Sequence, residues 1–207
     1  LDHASNAFSN SVTMKAGTSG NLAFGNIEFV DSAAVKIETS ANTNADGELL
    51  IDAGTDGAVG GTLSITATTG NITQGQVLAV TGASTFVVGA TGSNIVLDHA
   101  SNAFSNSVTM KAGTNGDQAF GNIGFVDNAA VVIQTSADTN ANGELLIDGS
   151  TDGVVGGTLS IKANGDITQN IDLAVAGTTT LEAGSNAITL NRSGNNFQDA
   201  VIVTSGG

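Results

Sequence analysis

His3 and His99 are the two histidines of this 207-residue chain, and a histidine is the side chain best suited to act as a general base or metal ligand near neutral pH. They hold equivalent places in a stretch, LDHASNAFSNSVTMKAGT, that reads identically at residues 1–18 and 97–114. A worn third copy, LNRSGNNFQDAVIVTSG at 190–206, has Arg192 at that place. A ligand or base does not survive exchange for arginine, whereas an outward polar side chain does. Both histidines are therefore read as solvated.

Acidic loops are the second source of chemistry. NTNADGELLID (42–52) has DTNANGELLID (138–148) as its partner, and the opening D-x-N-x-N-G resembles the first half of a calcium loop, where alternate oxygens converge on a hard cation. The match then fails, because Ala53 and Gly149 stand where a bidentate Glu is needed. An Asx-rich turn is the plainer reading. Weak calcium binding at Asp46, Asp52, Asp138 and Asp148 is the alternative, and calcium is the one cofactor the sequence suggests. Glycoside cleavage needs paired carboxylates. The pair Asp52 and Asp56 recurs as Asp148 and Asp152, and an active site is normally single. The expectation is that the protein is not an enzyme.

Net charge is −14, with 19 acidic residues against five lysines and arginines. Five scattered cations cannot neutralise a phosphate backbone or hold an anionic membrane surface, so neither nucleic acid nor electrostatic membrane adhesion is expected. No transmembrane run is visible in the sequence, so no membrane insertion is expected either. There are 28 Gly and no Pro, Cys, Trp or Tyr. Disorder is excluded because 40% of the residues are hydrophobic and regularly spaced.

The elements that position these residues are short strands. Apolar residues alternate in VTMKA (12–16), VKIE (35–38) and LSIT (63–66), the pattern of strands with one buried face. Internal repetition divides the chain into a first unit (1–96), a second unit (97–189) and the start of a further degenerate one (190–207). Between the units Val35 and Val131, Ile37 and Ile133, Leu63 and Leu159, and Ile65 and Ile161 are unchanged pairs. Their neighbours vary: Lys36 becomes Val132, Glu38 becomes Gln134, Thr66 becomes Lys162, and Val87 matches Glu182. The unchanged set, with Val12, Met14, Val108 and Met110, is the expected core, and the varying set is expected in solvent. Asn6, Asn102 and Asn195, each two residues before a Phe, are expected to hold corners by hydrogen bonds to main chain, with Phe8, Phe104 and Phe197 filling the core beneath.

One marker per turn (Val12, Val35, Leu63, Thr85, Val108, Val131, Leu159, Thr180, Val201) recurs roughly every 20–28 residues, which predicts a parallel β-helix of about nine coils, four to a unit. Such a rod would be about 40 Å long. The chain begins and ends within a repeat, as a segment of something longer would.

The runs GTLSIKANGDITQNIDLAVAGTTTLEAGSNAITL and NNFQDAVIV resemble the repeats of filamentous-haemagglutinin-type bacterial adhesins, large exoproteins secreted by two-partner or autotransporter routes. The resemblance implies a right-handed β-helical stalk, extracellular and on a bacterial cell surface. Partners would be neighbouring repeats, other copies in a fibre, or host-cell and matrix glycans. A self-assembling matrix filament with head-to-tail stacking and a carbohydrate-binding β-helix module are the alternatives.

Overall fold

The computed structural model describes residues 1–14, 25–38, 48–51, 57–112, 121–134, 143–148 and 152–206, with main chain only at Ala112 and Asp148. All regular structure in these residues is strand. The first unit contributes β1 (Val12–Met14), β2 (Ile27–Asp31), β3 (Val35–Glu38), β4 (Glu48–Ile51), β5 (Ala58–Val59) and β6 (Leu63–Ala67). It continues with β7 (Ile72–Gln74), β8 (Ala79–Val80), β9 (Ser84–Val88) and β10 (Ile95–Leu97). In the second unit come β11 (Ala103–Phe104), β12 (Val108–Ala112), β13 (Ile123–Asp127), β14 (Val131–Gln134), β15 (Glu144–Asp148) and β16 (Val154–Val155). Then follow β17 (Leu159–Ala163), β18 (Ile167–Gln169), β19 (Ala174–Val175), β20 (Thr179–Glu182) and β21 (Ile188–Thr189), with β22 (Asn196–Phe197) and β23 (Val201–Thr204) beyond.

Two long sheets carry the molecule. Sheet I runs β1-β4-β3-β7-β10-β13-β17-β20-β23, and sheet II runs β2-β6-β9-β12-β15-β14-β18-β21. Two short sheets, β5-β8-β11 and β16-β19-β22, fill part of the connections between them. Every pairing among the described residues is parallel. The chain is an all-β parallel β-helix.

Alternation builds the core. Leu63, Ile65 and Ala67 of β6 are buried while Ser64 and Thr66 are half-buried on the outside. Register stacks like on like: Phe29, Ile65, Phe86 and Met110 follow one another through β2, β6, β9 and β12. Phe8 stacks on Phe29 with ring centroids 5.4 Å apart, and its equivalent Phe104 stacks on Phe125 at 5.5 Å.

The core residues named from sequence divide into two groups. Val35, Ile37, Leu63, Ile65, Val108, Met110, Val131, Ile133, Leu159 and Ile161 are all buried. Val12 and Met14, in the first rung of sheet I, are instead half-buried and pack against the same core from its end. For Val35, Ile37, Leu63 and Ile65 against Val131, Ile133, Leu159 and Ile161, equivalence between the units holds for burial but not for place. Ile37 lies in sheet I and Ile133 in sheet II, while Ile65 lies in sheet II and Ile161 in sheet I.

The markers do not stack in one column either. Val12 and Val35 lie in sheet I, Leu63, Thr85, Val108 and Val131 in sheet II, and Leu159, Thr180 and Val201 again in sheet I. The cause is an extra strand in each unit. β4 pairs with β3 in the same sheet instead of crossing to the other, through Lys36↔Glu48 and Ile37↔Leu49, and β15 does the same beside β14, through Ile133↔Leu145. These strands sit inside the two 28-residue gaps. Their outward residues Leu50 and Leu146 are nonetheless buried, at 2% and 1% exposure.

Glu38 also departs from expectation. It is 4% exposed rather than solvated, because its carboxylate pairs with Lys36 and lies over Gly75, where a Cβ would come within 2.6 Å of it. In the second unit Asn170 takes the place of Gly75 and donates its Nδ2 to Gln134, at 2.9 Å. The exchange is thus a paired one. Lys36 and Lys162 are exposed, and Thr66, Val87, Val132 and Glu182 half-buried.

Candidate functional site: polar columns at the corners

Where the chain turns a corner, main-chain N–H and C=O groups leave the strand ladder and need other partners, since burying them unpaired is costly. Asn102 answers this at one corner. It is completely buried, and its Oδ1 accepts the Leu78 N–H at 3.0 Å and Gln74 Nε2 at 2.9 Å. Its Nδ2 donates to Leu97 O at 3.2 Å and to Gln74 Oε1 at 2.8 Å. The amide pair is therefore reciprocal and links successive rungs. Gln169 and Asn195 repeat it, with Asn195 Oδ1 accepting from Leu173 N–H at 3.0 Å and from Gln169 Nε2 at 2.8 Å. Asn6, at the first rung, donates Nδ2 to Val30 O at 3.4 Å. Beneath these corners Phe104 is buried, and Phe8 and Phe197 are partly buried against the core. The Asn-x-Phe spacing pointed to these asparagines. The glutamines were missed, although ITQ recurs at 72–74 and 167–169.

A carboxylate continues the column. Asp127 is 2% exposed, and its Oδ1 accepts the Phe104 N–H at 3.1 Å and the Asn128 N–H at 2.8 Å. Burial raises its pKa above the ordinary carboxyl value, with the two main-chain hydrogen bonds pulling the other way. Asp31, its equivalent, accepts from Phe8 N–H and Ala33 N–H, both at 3.4 Å. A shallow cavity adjoins each aspartate. The larger, about 250 Å³, is lined by Asp127, Asn128, Lys162, Asn164 and Glu182 among others. Lys162 and Glu182 close on each other there at 2.6 Å across neighbouring rungs.

A second column guards the entry to sheet I. Asn71 Oδ1 accepts the Asn94 N–H at 2.8 Å, Asn94 Oδ1 accepts the Asn122 N–H at 2.6 Å, and Asn122 Oδ1 accepts the Thr158 N–H at 2.9 Å. Each side chain thus caps the main chain one rung on.

His3 and His99 serve the same purpose. His3 Nδ1 accepts the Ser5 N–H at 3.1 Å, and His99 Nδ1 accepts the Ser101 N–H at 3.3 Å. His3 is exposed and His99 half-buried. Arg192 instead bonds Asp172, Nε to Oδ1 at 3.1 Å. Of the calcium candidates, Asp46, Asp52 and Asp138 lie outside the described residues, as does the side chain of Asp148.

Polar groups at these corners spend their hydrogen-bonding capacity on the chain itself, and they do so twice over, at positions a unit apart. A family model described as repeats of unknown function (DUF5649) matches residues 9–111 and 130–204. The chain belongs to this family. No curated protein and no solved structure matches it. The first DUF5649 match runs from the first unit into the start of the second and the other from the second unit into the one beyond, and each contains an ITQ strand followed by an Asn-x-Phe corner, Asn102 to Phe104 and Asn195 to Phe197.

Proposed function

We propose that this chain is a structural segment of a secreted bacterial cell-surface adhesin or extracellular fibre, where it serves as a rigid stalk. The observation that carries this reading is replication: the corner network around Asn102 recurs around Asn195, so each unit lengthens the rod without adding a distinct site. Solenoids of this kind gain stability from nearest-neighbour stacking, so length can grow freely. The resemblance to haemagglutinin-type repeats supports the extracellular placement, and the absence of cysteine fits a chain that crosses an envelope before folding.

Antibodies raised against this segment test the proposal on intact and lysed cells. Gold label on the outside of intact cells is the expected result, with in-frame removal of residues 1–96 drawing distal label inward by about 19 Å, four rungs. Label that appears only after lysis would overturn it.

A further inference from the structure

Equivalent strands of the two units lie on opposite sheets. β1 is in sheet I and its counterpart β12 in sheet II; β2, β6 and β9 are in sheet II and their counterparts β13, β17 and β20 in sheet I. The short sheet moves too. β5, β8 and β11 stand in connections that lead from sheet I to sheet II, whereas β16, β19 and β22 stand in those that lead from II to I.

Parity explains the exchange. Counted over the described strands from β1 to β12, the long sheets are exchanged seven times, and β3 and β4 stay in the same sheet. An odd number of crossings lands the second unit on the other side, three and a half circuits on.

Strand numbers give this a consequence. Among the described residues the first unit places five strands in sheet I (β1, β3, β4, β7, β10) and three in sheet II (β2, β6, β9). The second places three in sheet I (β13, β17, β20) and five in sheet II (β12, β14, β15, β18, β21). Units repeated by translation alone would add two surplus strands to the same sheet each time, about 10 Å of mismatch per unit. The longer side would then bend the rod around the shorter. With a half turn the surplus changes sides and cancels over each pair.

We infer that the unit acts as a half-turn screw, which keeps a tandem array straight and presents each unit's surface on the side opposite to its neighbour's. A stalk with this operator is bilateral.

The test lengthens the chain by two further copies of residues 1–96 at its N terminus. Each new junction is the native one, because residues 1–18 and 97–114 are identical. Cryo-electron microscopy should show a straight rod longer by about 19 Å per copy. Curvature that grows with each copy overturns the inference. Should the long chain fold poorly, the 207-residue chain answers by spin-label distances, which its lack of cysteine makes clean. Ser64→Cys and Ser160→Cys point outward from opposite sheets, so a separation beyond about 25 Å is expected; the same-face value of about 19 Å would overturn it. Neither readout depends on where the protein resides or what it binds, so failure of the stalk reading would leave this one standing.

Discussion

Asn102 satisfies a buried N–H, a buried C=O and both ends of the Gln74 amide with one side chain. Asn102→Ala takes away the acceptor of the buried Leu78 N–H and the partner of the Gln74 amide, and an expected loss of about 3 kcal/mol should be read from urea unfolding. A loss below about 1 kcal/mol would mean that the column is ornamental. Gln76 is the opposite case. It is 3% exposed, neither side-chain polar atom has a hydrogen-bond partner among the described residues, and its counterpart in the second unit is Ile171. Gln76→Ile should therefore raise the melting temperature; a fall would contradict the account. Asp127 adds a pH dependence with a definite sign. Its native pKa is raised, so the folded state holds the proton more tightly than the unfolded chain. The stability it contributes is full below the ordinary value of 3.8 and is lost as pH rises through the native value. Asp127→Asn keeps an oxygen acceptor for the two main-chain N–H groups. It should flatten that part of the melting temperature against pH, and an unchanged profile would contradict this. The corner asparagines were legible because Asn-x-Phe is written three times. Glu38 was misplaced because variation between the units at one position could not show that Gly75 varies with it.

At the scale of the element, the corners set the limits. Gly57 and Gly153 are equivalent, with φ of 78° and 80°. A Cβ at Gly153 would come within 2.3 Å of Asp172 O on the next rung. Gly153→Ala therefore meets both a disfavoured backbone and a clash, with an expected cost of about 3 kcal/mol. Gly184→Ala shares the positive φ of 57° but has open space around it, so its cost should be about 1 kcal/mol. Equal costs in chemical denaturation would show that close rung-to-rung approach does not govern these turns. The strands and their buried faces could be read from alternation, since Leu63 and Ile65 announce their own inward side, as Ile133 and Ile161 do in the second unit. Which sheet a strand joins could not. β4 has the apolar content of any other strand, and only its pairing with β3 reveals that the chain has failed to cross.

For the whole molecule, a parallel β-helix followed from the repeat and from the absence of proline, because every inner strand must donate to the next rung. About nine rungs were expected, and among the described residues sheet I has nine strands. The route to that number differs from the one spacing suggested, with seven crossings and one uncrossed step from β1 to β12 instead of four equal turns. What binds to the rod is not written in its interior, since inward residues report packing alone. The account's central claim is that both units form one continuous parallel stack. A cryo-electron microscopy map of the chain at strand-resolving detail tests it most directly. An unbroken spacing of about 4.8 Å from β7 through β10 into β13 is the predicted result. A gap between β10 and β13, or hairpin-linked antiparallel sheets within either unit, would contradict it.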